Sequence, residues 1–396
     1  MKRQHMWATL FSCALSAAAA AQTTPPAKPA TGAATSATAA KVADKAADKS
    51  TKTAGDAAKK PRQVFILSQK GMVGAGLRHE EMEKVEAEAD KFGPGQIIIL
   101  RINSGGGSVT EGDRISKSLS RIREKHRLVA WLEEAISGAA FTAMHCPEIY
   151  FMKIGTMGSI TKFSGDGSGG QKSAEGADLQ AWIERVAEVA EGGGRNGQVG
   201  RAMVYSPIVV SYTKDPKTGK VTFFPDKSGE VVLSDEKDNL TFNADRAMDC
   251  GYINGVADTP EELFAAMQLA PGTYEVNDAG KRVSEQWDRT LEKAKKQRTE
   301  IEQDMRLAGD PSVKSLQKRI QLYKQMQDIW KKALPVAEGI EGGGPLLPPG
   351  AEELGSDLVE KYMVAGSDLK PKLACEIIDR CIKDLQKQLA AAKKGA

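Results

Sequence analysis

Leu128-Val129-Ala130-Trp131-Leu132, followed by Ala135-Ile136-Ser137-Gly138-Ala139-Ala140, is the stretch that decides the reading of this chain. The apolar run reads as a buried strand, and the small residues over 138–144 read as the start of a helix. Between them the chain turns sharply, with Ser137 at the helix N-terminus. Free backbone N–H groups and the positive end of the helix dipole gather at such a place. A hydroxyl there can attack a carbonyl, and nearby N–H groups can receive the oxyanion that forms. The same position also suits a plain N-cap serine, so the neighbouring segments have to choose between the two.

Upstream, Val64-Phe65-Ile66-Leu67 reads as a short buried strand, residues 71–76 as a Gly-rich turn, and 79–92 as a charged surface helix. Gln96-Ile97-Ile98-Ile99-Leu100-Arg101-Ile102 is nearly all apolar, as expected of a parallel strand buried on both faces. Asn103-Ser104-Gly105-Gly106-Gly107-Ser108 is a turn, and 110–123 a helix. Downstream, Glu148-Ile149-Tyr150-Phe151-Met152 is a strand, and 178–191 has apolar residues at helical period, closed by Gly192-Gly193-Gly194. Short strands at 220–224 and 229–233, a helix at 244–250, a strand at 253–257 and a helix at 260–269 follow. Strands alternating with helices predict an α/β fold with a largely parallel sheet.

The ends are different material. Lys2, Arg3 and His5, an apolar run over 6–15 and small residues over 17–21 read as a secretory signal, residues 1–21. Residues 22–61 are Ala, Thr, Lys, Ser and Pro with almost no large apolar side chain, and read as a disordered tether. From about 280 to 334, Lys, Glu, Gln and Arg surround apolar residues at three- and four-residue steps. That is helical-hairpin or coiled-coil-like material, broken at Gly309-Asp310-Pro311. A Gly/Pro loop over 342–350 and a further helical region over 352–394 complete an extension assigned to 269–396.

Net charge is +3, with both signs interspersed and no basic stripe that would favour nucleic acid. Cys146, Cys250, Cys375 and Cys381 remain once the signal is removed. Their spacing is not that of a metal site, and pairing or free thiols both stay open. His145 stands eight residues after Ser137, about 12 Å along a continuous helix, which is too far for a Ser–His pair.

The order of these motifs resembles the NfeD-like and signal-peptide-peptidase-A-like serine peptidases over residues 62–268. The glycine turn after the second strand, the Ala-Ile-Ser-Gly-Ala turn, Gly155-Thr156-Met157-Gly158-Ser159-Ile160, Gly194-Arg195-Asn196 and the closing NADRAMDCGYINGVAD at 243–258 carry it. The resemblance implies a ClpP/crotonase-like spiral of βαβ units, here with an α-helical C-terminal extension. It implies a Ser–Lys dyad with Ser137 as nucleophile. Gly106 and Gly107 are then the backbone that holds oxyanion and substrate, and the Gly138 N–H is the other donor. Lys172 matches the family lysine best, with Lys162 as the alternative. Gly105 stands where the family commonly has proline, so the loop is more pliable here.

Two functions are expected from this. One is an exported, ATP-independent serine endopeptidase of the bacterial periplasm or envelope. It would cleave extended apolar peptides or membrane-protein segments as a homo-oligomer, with no metal, cofactor or nucleic acid, and a membrane-associated partner fits. The other is a non-catalytic scaffold on the same fold that acts through its helical C-terminal region. Crotonase-type acyl-CoA chemistry shares the fold but needs no nucleophilic serine after the strand and fits an exported chain poorly.

Overall fold

The computed structural model describes residues 61–394, apart from 166–170, 235, 341 and 367. The signal-peptide reading and all but the last residue of the tether reading lie outside the described residues, as does the middle of the loop before Lys172.

The chain runs β1 (Arg62–Lys70), α1 (His79–Asp90), β2 (Ile97–Ser104), α2 (Val109–Lys125), β3 (Arg127–Ile136), α3 (Gly138–Met144), β4 (Glu148–Gly158). Two short strands follow, β5 (Phe163–Gly165) and β6 (Gln171–Ser173), then α4 (Gly176–Gly192) and α5 (Gly197–Val204). Next come β7 (Ser211–Lys214), β8 (Val221–Phe224), β9 (Val231–Val232), β10 (Thr241–Asn243), α6 (Ala244–Asp249), β11 (Gly255–Val256), α7 (Pro260–Ala266) and β12 (Tyr274–Asn277). The helical end is α8 (Ala279–Leu307), α9 (Val313–Lys332), α10 (Leu334–Glu338), α11 (Ala351–Val364) and α12 (Lys370–Lys394).

The main sheet has strand order β10-β4-β3-β2-β1-β12, with β11 also pairing with β4. Every pairing in it is parallel except β10 with β4. The apolar run of β2 is explained by burial on both faces. Ile98, Leu100 and Ile102 enter the core formed with α1, α2 and α3. Ile97 and Ile99 enter the core on the other face, with Trp131, Leu263 and Phe264. The expected α/β fold with a largely parallel sheet and a helical C-terminal region is therefore what the chain adopts.

Three features depart from the expectation. The sheet continues past residue 268, because β12 adds parallel to β1 with Arg62 opposite Tyr274. An antiparallel sheet of order β8-β7-β9 stands between α5 and β10. The C-terminal helices build a second core of their own around Trp330, Tyr323, Met326, Ile377 and Ile378, so their apolar positions close a compact helical domain. Among the described residues the cysteines Cys146, Cys250, Cys375 and Cys381 are free thiols, and burial pushes the Cys146 thiol up to about 12.

Candidate active site

Parallel pairing brings three strand ends to one edge. Ser104 of β2 stands opposite Ala135 of β3, and Ile136 of β3 stands opposite Gly158 of β4. Ligand sites in open α/β sheets form at the carboxyl ends of the strands. Here that edge carries Gly105-Gly106-Gly107, Ser137 and Ser159 side by side in strand order. A bulge at Glu133 shifts the register of β3 just before the turn.

Ser137 takes φ 56 and ψ −123, a backbone conformation that residues other than glycine rarely adopt. Strain of this kind costs about 1–3 kcal/mol and persists only where the surroundings hold it. The Ser137 N–H donates to the Gly158 carbonyl at 2.9 Å, and its carbonyl accepts from Phe141 N–H at 3.1 Å. Its half-buried side chain makes no capping hydrogen bond, so the hydroxyl is not serving as an N-cap. Ser108 and Asn196, by contrast, do cap α2 and α5 through their side chains.

The glycines sit where the turn needs them. A β-carbon on Gly106, whose φ is 102, would lie 2.5 Å from Ser137 Cβ and 3.0 Å from its Oγ. One on Gly107 would lie 2.5 Å from the Val73 carbonyl oxygen. Gly138 opens α3, so its N–H has no partner within the helix. The position of a β-carbon on Gly138 is 3.5 Å from the Gly107 nitrogen, which brings these two backbone segments together beside Ser137. Residues 71–77, legible only as a turn in the sequence, are the third wall. Val73 N–H donates to the Gly106 carbonyl at 2.8 Å, and the Val73 carbonyl accepts from Ser108 N–H at 2.9 Å.

The lysines are placed differently. Lys172 has a 63% exposed side chain and pairs with Glu175 at 2.9 Å. Lys162 is 24% exposed, and its ammonium donates to Asp178 at 2.5 Å. A lysine base must be neutral, which desolvation favours and a neighbouring carboxylate opposes. The two lysines belong to one segment, since Ala174 N–H donates to the Lys162 carbonyl at 2.9 Å.

The histidines do other work. His145 is buried against Ser116 Oγ at 2.5 Å and the Phe141 carbonyl at 2.9 Å, and burial pushes its pKa down to about 4. His79 lies 2.8 Å from Glu111 and 3.2 Å from Glu80, a grouping with metal-ligand chemistry. Its carboxylates are already engaged by Arg78 and Arg114, and its hydrogen bond to Glu111 raises the His79 pKa.

A strained serine at the carboxyl end of a parallel strand, backed by glycine backbone, defines a candidate acyl-transfer site. Residues 63–239 match the family model described as NfeD1b, N-terminal domain. The curated membrane protein NfeD1b of Bacillus subtilis (strain 168) is 26% identical over 167 residues, covering 42% of this chain and 32% of that protein. The chain thus spans about a third of the length of the curated relative it matches. Among solved structures, a mutant of the 1510-N membrane-bound stomatin-specific protease in complex with a substrate peptide gives a TM-score of 0.41 at 15% identity. It covers 58% of this chain and 99% of that one. ClpP1 from Listeria monocytogenes gives 0.32 at 17% identity, covering 50% and 94%. The NfeD-like resemblance holds over this region.

Proposed function

We propose that the chain is a serine endopeptidase that cleaves extended apolar peptides or membrane-protein segments. Ser137 Oγ attacks the peptide carbonyl while a lysine amine takes its proton. Lys172 is the assigned base and Lys162 the alternative. The C–O bond forms as the carbonyl electrons move to oxygen, and the N–H groups of Gly138 and Gly107 receive that charge. The amine leaves with the proton, and water then hydrolyses the acyl-enzyme. The observation that carries this reading is the strained, uncapped Ser137 with Gly106 packed against it. Met72, exposed beside the Val73 segment, supports an apolar substrate. Among the described residues no helix is long and apolar enough to cross a membrane. Export to the periplasm or envelope, assembly as a homo-oligomer and a membrane-associated partner are part of the same proposal.

The test is cleavage of casein and a pool of apolar peptides by the purified chain beside Ser137→Ala, Lys172→Ala and Lys162→Ala. Loss of about a thousandfold or more is expected for Ser137→Ala and for one lysine variant. A second reading, a non-catalytic scaffold, draws on the carboxylate pairing of both lysines and on the separate helical core. It gains if the unmutated chain cleaves nothing and its serine resists a fluorophosphonate probe.

A further inference from the structure

The helical domain reaches Ser137 through residues 71–77. This loop contains Gly71 and Gly74 at φ 92 and 98, and most of its own bonds converge on one carbonyl, the exception being Gly74 N–H to the Leu77 carbonyl at 2.9 Å. The Met72 carbonyl accepts from the N–H groups of Ala75 and Gly76, both at 2.9 Å. A loop so rich in glycine needs external restraint to hold one conformation. One side of it carries the site, since Val73 is hydrogen-bonded to Gly106 and Ser108. The other side is held from α8. The Trp287 indole N–H donates to the Ala75 carbonyl at 2.8 Å in a buried bond, and the Arg78 guanidinium lies 3.9 Å from the Trp287 ring centroid.

We propose that Trp287 is a positioning residue, through which the helical domain fixes the Gly106–Gly107 backbone against Ser137. This rests on the reading of Ser137 as nucleophile. Val73 and Ala75 are two residues apart in one loop. A shift of Ala75 is therefore passed to the two Val73 hydrogen bonds that place Gly106 and Ser108. Oxyanion donors act only when pre-placed, and small displacements near the reacting atoms cost rate rather than binding. Trp287 touches none of the proposed reacting groups, so its effect has to travel through the loop. The helical extension then belongs to the site, beyond any role as a separate module.

The experiment compares the unmutated full chain with Trp287→Phe, which keeps an aromatic ring at the position and removes the N–H donor together with part of the ring's volume, a loss the control below shares. Trp330→Phe is the control, since that indole donates to the Leu346 carbonyl inside the helical core at 2.8 Å. Amide hydrogen exchange is read on peptides covering 71–77 and 104–108. In Trp287→Phe these are expected to exchange about tenfold faster, the opening expected from one lost buried hydrogen bond. Peptides from α9 and α12 are expected to stay unchanged, and Trp330→Phe is expected to leave the loop untouched. Labelling of Ser137 by a fluorophosphonate is expected to slow about tenfold at saturating probe, with its half-saturating concentration unchanged. Unchanged exchange over 71–77 and 104–108, or acceleration spread equally over the whole chain, overturns the proposal. If the unmutated chain is not labelled, the nucleophile reading falls, and the exchange comparison still decides whether Trp287 holds the loop.

Discussion

Gly106 and Gly138 flank the same serine and are not equivalent. A β-carbon at 106 would lie 2.5 Å from Ser137 Cβ and 2.9 Å from the Ile136 carbonyl, on a backbone with φ 102. At 138 the nearest atoms are ordinary contacts at 3.5 Å. Gly106→Ala is expected to cost about 2–3 kcal/mol in urea unfolding and to abolish probe labelling of Ser137. Gly138→Ala is expected to keep stability within about 1 kcal/mol, since alanine suits a first helical turn. Equal stability losses for the two would remove the steric argument for Gly106. His145 makes a different kind of prediction. Its pKa lies near 4 in the fold against 6.5 unfolded, because burial penalises the charged ring. Between those values the unfolded chain binds a proton that the native chain does not, so stability rises with pH there. Acidification from pH 7 to 4 should cost up to about 3 kcal/mol through this group. His79, raised by Glu111, has its stabilising contribution in place below 6.5 and loses it as pH rises above that value, so it varies only at the neutral end of the range. Glu81, Glu338 and Asp288, raised chiefly by burial, work in the opposite sense. The unmutated chain minus His145→Gln isolates the histidine, and a difference that does not change with pH would refute the assignment.

The turn between β3 and α3 was legible as an element because an apolar run gives way abruptly to small residues. The β2 strand was legible because burial on both faces removes polar alternation. What could not be read were elements whose residues carry no periodic signal. Gly197 and Gly200 weaken the helical signal of α5, yet a β-carbon on Gly200 would stand 3.2 Å from that of Ala190, so glycine is what lets α5 pack on α4. The Val73 pairing with Gly107 is a single isolated bridge, for which no local pattern exists. The Ser137 turn and the glycine loop beside it were legible as elements because each is one short local segment. How Lys162 and Lys172 stand relative to them was not, because that depends on how a Gly/Ser-rich segment folds. Gly194-Arg195-Asn196 proves to be a joint between elements. The Arg195 guanidinium donates to the Cys146 and Gly193 carbonyls at 2.8 Å and to Tyr252 at 3.2 Å, tying the end of α4 to the turn after α3. Asn196 then caps α5. Arg195→Lys keeps the charge and loses the planar fork, so a destabilisation of about 2–4 kcal/mol is expected. An unchanged urea midpoint would mean that the three carbonyls find other donors.

On the scale of the whole molecule, the question is where the α/β unit ends. The change in composition at 269–280 suggested a boundary after residue 268, but β1 is not an edge strand. It pairs with β12 over Arg62–Phe65, and Tyr274 stacks edge-on against Phe264 with centroids 5.0 Å apart. The first turns of α8 continue the same seal. Gly280 lies so close to Ile66 that a β-carbon would meet its carbonyl oxygen at 2.4 Å, and Ser68 N–H donates to Ser284 Oγ at 3.0 Å. A fragment ending at 268 would expose an unpaired parallel edge together with the apolar surface behind it, a recognised route to self-association. A fragment covering 61–290 keeps β12, the Gly280 and Ser284 contacts, and the Trp287 bond to Ala75. The expectation is that 61–290 unfolds in one cooperative urea transition as a non-aggregating species. The fragment 61–268 should lose about 3 kcal/mol or more, the scale of several hydrogen bonds and one buried aromatic contact, and should associate on gel filtration. If 61–268 proves as stable and as soluble as 61–290, then β12 and the start of α8 only decorate the sheet. The helical domain would then be a module separable from the sheet. If the longer fragment alone folds, the α/β unit has its last structural residues inside what composition marks as the extension, and the helical domain grows directly out of the sheet that positions Ser137.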